Sequence, residues 1–260
     1  MKRLTPDFVP SGIKFERGRR WNAEQTIATT ASVSIESDNN PLREFFDRRK
    51  VGPGIWKWSH YFDIYHRHLK KFRGRPVHIL EVGIYSGGSL QMWREYFGPD
   101  AVLYGVDIEP SCKAYEDDKT HIFIGDQQDR SFWKSVIEKI PQIDVIIDDG
   151  GHYFEQQIVT LEEVLPALSP GGVFICEDVH TARNEFAMFV YGLADRLNDV
   201  EMQSDDSSDE RRLTTKAQGP QQYVKSISLY PFVTVIERTE GHISEFVAPK
   251  RGTEWQPFLK

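Results

Sequence analysis

At 260 residues the chain is long enough for one full-sized core with a small appendage. Its 39% hydrophobic and 27% charged content describes a globular rather than a disordered protein, and no apolar run approaches the ~18 residues of a membrane span. A formal net charge of −7 argues against a nucleic-acid partner, and two distant cysteines, Cys112 and Cys176, argue against a disulfide framework and for a reducing cytoplasm.

Residues 1–41 read as a polar, irregular arm with no secretory-type apolar core near Met1. Residues 42–76 form a lead-in. A helix over 42–50 is broken by Gly52-Pro53-Gly54, and an aromatic amphipathic helix over 56–72 follows, with Phe62, Tyr65 and Leu69 at helical spacing to lie on a sheet. From residue 77 strand and helix patterns alternate. Strands are expected at 77–83, 102–107, 121–125, 145–149 and 173–177, with helices at 90–97, 132–140 and 154–168 between them. This rhythm predicts a doubly wound α/β fold with a parallel sheet. A further helix is expected over 184–197. Residues 201–220, with an acidic run at 204–210, read as a mobile excursion or lid. Two β-rich runs, 223–230 and 232–238, predict an antiparallel edge pair joined at Pro231, and 241–260 is left as a tail.

Two of these strands carry the chemistry. The first reads Ile143-Asp144-Val145-Ile146-Ile147-Asp148-Asp149-Gly150-Gly151-His152, the second Gly171-Gly172-Val173-Phe174-Ile175-Cys176-Glu177-Asp178. Ligands of open α/β sheets bind beyond the carboxyl ends of the strands, so both acidic pairs fall on that rim. Close carboxylates repel by roughly 4 kcal/mol per pair at an effective dielectric near 20, and a divalent cation removes that repulsion. Consecutive strand residues point to opposite faces, so Asp149 is chosen over Asp148 as the ligand, and Glu177 and Asp178 can both bind only if the strand ends between them. Oxygen donors without a cysteine favour Mg²⁺ or Mn²⁺ over zinc.

The first strand leads into Glu81-Val82-Gly83-Ile84-Tyr85-Ser86-Gly87-Gly88-Ser89-Leu90. Tyr85 stands where the dinucleotide fingerprint needs its second glycine, which disfavours a nicotinamide dehydrogenase. Asp107, ending the second strand, is placed for ribose hydroxyls, and Gly125-Asp126-Gln127 follows the third.

On these residues the run from Glu81 to Thr181 resembles the class I S-adenosylmethionine-dependent methyltransferases, and residues 223–238 resemble the antiparallel pair of their Rossmann-like seven-stranded sheet. Asp148-Asp149-Gly150-Gly151-His152 with Pro170 to Asp178 is similar to the metal-dependent sugar O-methyltransferases of macrolide biosynthesis (mycinamicin and tylosin type) and to their cephalosporin-hydroxylase-like relatives. The resemblance implies a domain over 77–240. It implies Glu81, Gly83, Ser86 and Gly87 along the methionine and ribose of the cofactor, Asp107 on the ribose, and Asp126 and Gln127 at the adenine; strand alternation leaves Asp148 to contacts with the cofactor or with the groups behind the ligands. It further implies Asp149, Glu177 and Asp178 on magnesium, with His152 as general base and Asp149 sharing in catalysis. The acceptor is expected to be a small hydroxylated molecule such as a sugar, bound without a membrane partner, with homo-oligomerisation left open.

Methyl transfer to an alcohol needs the proton removed, and imidazole as a class titrates near neutrality. Other placements stay open at this point: His152 as a helix cap, His180 on the substrate or the loop surface, and His60, Tyr61 and Tyr85 in the pocket or the core. Two other readings keep the fold: a non-methylating relative, and a catalytically silent binding or assembly protein.

Overall fold

A computed structural model describes residues 11–20, 39–180, 184–200, 212–249 and 251–252. The chain divides into two compact units, Met1–Asp38 and Asn39–Lys260. The described part of the first is helix α1, Ser11–Arg19.

In the second unit, α2 (Pro41–Arg48) is capped by Asn40, whose Oδ1 accepts from the Leu42 amide while its Nδ2 donates to the Phe62 carbonyl. That one buried side chain fastens α2 to α3, Tyr61–Leu69. The expected helix over 56–72 is therefore shorter, with a 3-10 turn closing it at Lys70–Phe72. Residues 54–58 are not helical.

The alternating region follows as β1 (Val77–Val82), α4 (Gly88–Phe97), β2 (Ala101–Asp107), β3 (Thr120–Ile124), α5 (Arg130–Ile137), β4 (Ile143–Asp148), α6 (Phe154–Val164) and β5 (Leu168–Val179). Next come α7 (Glu185–Arg196), β6 (Arg212–Lys216), β7 (Val224–Tyr230), β8 (Phe232–Arg238) and β9 (Glu245–Pro249). Seven strands form one sheet in the order β3-β2-β1-β4-β5-β8-β7. β1 to β5 run parallel, and β8 is antiparallel to both β5 and β7. This is the seven-stranded, doubly wound architecture expected from the sequence.

The alternating side chains explain why the strands read as continuous apolar runs. Ile79, Val145, Ile147, Val173 and Ile175 enter the core shared with α2, α3 and α4. Leu80, Val82, Ile146, Phe174 and Cys176 enter the core shared with α5, α6 and α7. Both faces are covered, so both sets of positions must be apolar.

A second expectation is corrected. Residues 212–216, placed in a mobile excursion, form β6 and pair antiparallel with β9, from the stretch read as a tail. The acidic run at 204–210 lies outside the described residues. No helix among the described residues is long and apolar enough to cross a membrane.

Candidate active site

Strand order reverses between β1 and β4: from β1 the sheet continues to β2 and β3, from β4 to β5. Loops leaving such a junction diverge and open a crevice. A cavity of about 850 Å³ lies there, lined by Gly83, Asp107, Asp126, Gln127, Asp149 and Asp178 among others. Gly83 sits at φ +84°, and a Cβ on it would come within 2.0 Å of the Asp149 carbonyl oxygen. Only glycine lets the two loops touch here. Asp107 ties the same corner together. Its Oδ2 accepts from the Ile84 and Tyr85 amides at 2.8 and 3.1 Å, and its Oδ1 from the Glu109 amide at 2.9 Å.

Four residues assigned to the cofactor stand behind this wall. Glu81 is buried in β1, accepting from Ser89 Oγ and Trp93 Nε1, both at 2.9 Å. Ser86 and Gly87 belong to the turn into α4, where Gly87 is left-handed and packed beneath the Tyr115 ring. Asp148 is buried under the cavity floor, its Oδ1 accepting from Gln127 Nε2 and the Gly150 amide at 3.2 and 3.3 Å. These four are not among the residues that line the cavity.

Burial pushes the Glu81 carboxyl up to about 7, against the opposing charge of Lys57. A carboxyl protonated in the folded chain and ionised in the unfolded one stabilises less as pH rises. Its contribution is complete below the ordinary value of 4.5 and is lost as pH climbs to about 7. The loss is roughly 3 kcal/mol for this one group. Urea unfolding of metal-free protein is expected to show higher stability near pH 5 than near pH 8. Glu81→Gln should remove that share of the difference; an unchanged pH dependence in the variant would refute the assignment.

The acids at the strand ends meet as follows. β5 does not end between Glu177 and Asp178. Its register against β8 shifts between Cys176 and Val179, and Asp178 adopts φ +52°. This irregularity replaces the expected strand end and lets neighbouring acids face one region. Asp178 Oδ1 accepts from Trp58 Nε1 at 2.9 Å and from the Tyr61 hydroxyl at 2.8 Å. Burial, then the bond to Asp178, holds the Tyr61 phenol far above its ordinary pKa, so it remains a donor. Asp149 Oδ2 accepts from Lys57 Nζ at 2.5 Å, and the same ammonium bonds both Glu177 oxygens at 2.9 Å. Burial disfavours the Lys57 charge, but Asp149 and Glu177 more than offset this and raise its pKa, so it stays an ammonium. Glu177 is itself pushed up by burial and then by Asp149, with Lys57 opposing.

The remaining oxygens face His152. Its Nε2 lies 4.0 Å from Asp149 Oδ1 and 3.5 Å from Asp178 Oδ2. Asp149, His152 and Asp178 each offer a donor atom, and these three atoms lie within 4.8 Å of one another. Glu177, the third carboxylate of the expected set, is instead occupied by Lys57. Sequence reasoning missed Lys57 and Trp58. Lys57 pairs with acids 92 and 120 positions away, and its only local signal is a lone lysine between two tryptophans. Tyr61, His60 and Tyr85 separate: Tyr61 and Tyr85 line the cavity, while His60 meets Phe232 edge-on and bonds the Pro231 carbonyl. His180 also lines the cavity.

Residues 80–179 match the sequence family described as "Methyltransferase domain". Among curated relatives, the 8-demethyl-8-(2-methoxy-alpha-L-rhamnosyl)-tetracenomycin-C 3'-O-methyltransferase of Streptomyces olivaceus is 36% identical over 136 residues, covering 50% of this chain and 34% of its own. Demethylmacrocin O-methyltransferase of Streptomyces fradiae is 32% identical over 169 residues, covering 62% of this chain and 41% of its own. The chain spans between 34% and 41% of the length of the curated relatives it matches. The MycE methyltransferase from the mycinamycin biosynthetic pathway, solved in complex with Mg and SAH, shares the fold. It superposes with a TM-score of 0.61 at 22% identity, over 78% of this chain and 55% of that one.

Proposed function

We propose that the protein is an S-adenosylmethionine-dependent, divalent-cation-dependent O-methyltransferase acting on a hydroxyl of a small glycoside. One observation carries the reading: a single cavity at the reversal of strand order is lined by Gly83, Asp107, Asp126 and Gln127 together with Asp149, His152 and Asp178. The curated relatives, O-methyltransferases of tetracenomycin and macrolide compounds, support the reaction class.

The residues fit both groups. Asp107 keeps acceptor capacity for ribose hydroxyls beyond its three amide bonds, since each carboxylate oxygen carries two lone pairs. Gln156 Oε1, in the cavity wall, is buried without a hydrogen-bond partner among the described residues, as an atom awaiting a donor would be. The facing oxygens of Asp149 and Asp178 are hard donors suited to Mg²⁺ or Mn²⁺. When bound, the sulfonium donor supplies an electrophilic methyl group and the cation makes the acceptor hydroxyl more acidic.

The chain's own residues do the rest. Asp107 and the loop after β1 bind the nucleoside, and Asp149 and Asp178 hold the cation. His152 Nε2, facing both acids but beyond hydrogen-bond distance of either, is positioned to take the hydroxyl proton. Trp56, Tyr85 and Ile108 line the cavity while 89%, 76% and 68% exposed, an apolar rim suited to the body of a large aglycone.

The test is transfer of labelled methyl from S-adenosylmethionine to rhamnosyl and deoxysugar glycosides, with and without chelator. Transfer that needs Mg²⁺ or Mn²⁺ is the expected result. Transfer that survives exhaustive chelation removes the cation from the reading, and failure to bind S-adenosylhomocysteine in calorimetry removes the donor.

A further inference from the structure

Lys57 is the feature of the site that the reaction does not use. Asp107, Glu109, Asp126, Asp149, Glu177 and Asp178 all line the cavity, and Lys57 is the sole lysine or arginine among the described lining residues. Its side chain is 2% exposed and bonds Asp149 Oδ2 and both oxygens of Glu177, which is itself fully buried. The ammonium thus sits where two acids from neighbouring strands converge, as a cation holding them together.

We propose that Lys57 is a resident counter-ion of this acid cluster which a divalent cation must displace, so that one ammonium sets the metal affinity of the site. The inference rests on the reading of Asp149 and Asp178 as cation ligands. Three observations support displacement over co-occupancy. First, Lys57 shares Asp149 with the group formed by Asp149, His152 and Asp178, so its positive charge would lie one carboxylate away from an ion held there. Like charges at that spacing repel strongly in a buried site. Second, Lys57 carries its charge on a flexible four-carbon stem and borders the open cavity, which gives the ammonium somewhere to go. Third, Asp178 is held by the neutral donors Trp58 and Tyr61, so departure of Lys57 leaves that acid in place. Once released, Glu177 becomes a third carboxylate for the ion. The metal-free protein thereby avoids an uncompensated buried acid pair, at the expense of weaker metal binding.

The test is Mg²⁺ titration calorimetry on the full chain, with thermal unfolding in chelator and in Mg²⁺, for the parent, Lys57→Met and Lys57→Arg. Lys57→Met is expected to bind Mg²⁺ at least about tenfold more tightly. It should unfold at a lower temperature than the parent in chelator and gain more from added Mg²⁺. Lys57→Arg, which keeps the charge, should stay near the parent affinity. A Lys57→Met protein recovered folded only in Mg²⁺ supports the proposal equally. Affinity equal to or weaker than the parent's overturns it. So does a Lys57→Met chain that folds in neither condition while Lys57→Arg folds normally, because the ammonium is then not replaceable by a metal. An absence of Mg²⁺ binding in all three proteins fails the cation reading itself, and is distinguishable because the parent then gives no heat.

Discussion

Asp149→Asn is expected to lower methyl transfer by about a thousandfold or more, while S-adenosylhomocysteine affinity stays within about threefold. The expectation follows from how one carboxylate is shared. Asp149 Oδ2 is held by Lys57, and Oδ1 is left facing His152 and Asp178. Asparagine has the same shape but one acceptor oxygen instead of two. If that oxygen stays on Lys57, the amide NH₂ points at the cation position and repels it. If the amide turns round, a donor faces the Lys57 ammonium in a buried setting. In the first case the hard-donor pair is reduced to Asp178, and in the second the facing oxygen is a neutral carbonyl in place of a carboxylate. The nucleoside side of the cavity is untouched, since the backbone amide of Asp149 still donates to the Val82 carbonyl at 2.9 Å. Activity retained in this variant at the parent level would remove Asp149 from the reaction.

The sheet was legible because physics makes it so. Strands covered on both faces are apolar at most positions, and β1 through β5 announce themselves as runs punctuated by glycine, acid or proline. The acids at Asp149 and Asp178 and the imidazole at His152 could be placed on one rim from topology alone. Three features escaped, each for its own reason. Trp56 and Trp58 extended an aromatic pattern that suggested helix, yet they are 89% and 51% exposed and serve the cavity mouth rather than the core. β6 and β9 pair across 29 to 37 positions, and β9 is exposed along its whole length, so it lacks the burial alternation of a half-buried strand. Lys57 acquires its meaning only when folding brings two distant acids to it. Periodicity reports what a residue packs against, and it is silent about a long-range ion pair.

His152→Asn is expected to reduce turnover by about 10²–10⁴-fold with Mg²⁺ affinity nearly unchanged. Asparagine is the informative replacement because His152 sits at φ +58°, a conformation that Asn tolerates better than most residues. The variant therefore removes the imidazole with little added backbone strain. Two roles compete for this ring. As a base, Nε2 must be free to receive a proton, and its separations of 3.5 and 4.0 Å from Asp178 and Asp149 are longer than hydrogen bonds. As a ligand, the same nitrogen belongs to a set of donors within 4.8 Å of one another. The roles predict different measurements. Loss of a base flattens the acid limb of the pH–rate profile and leaves calorimetric Mg²⁺ binding intact. Loss of a ligand weakens Mg²⁺ binding and lets higher Mg²⁺ concentration restore the rate. The base is the role expected here, because two carboxylates already offer oxygens to the ion position and the imidazole, 38% exposed, lines the open cavity. A rate restored by excess Mg²⁺ would reverse that assignment and make His152 a holder of the cation rather than of the proton.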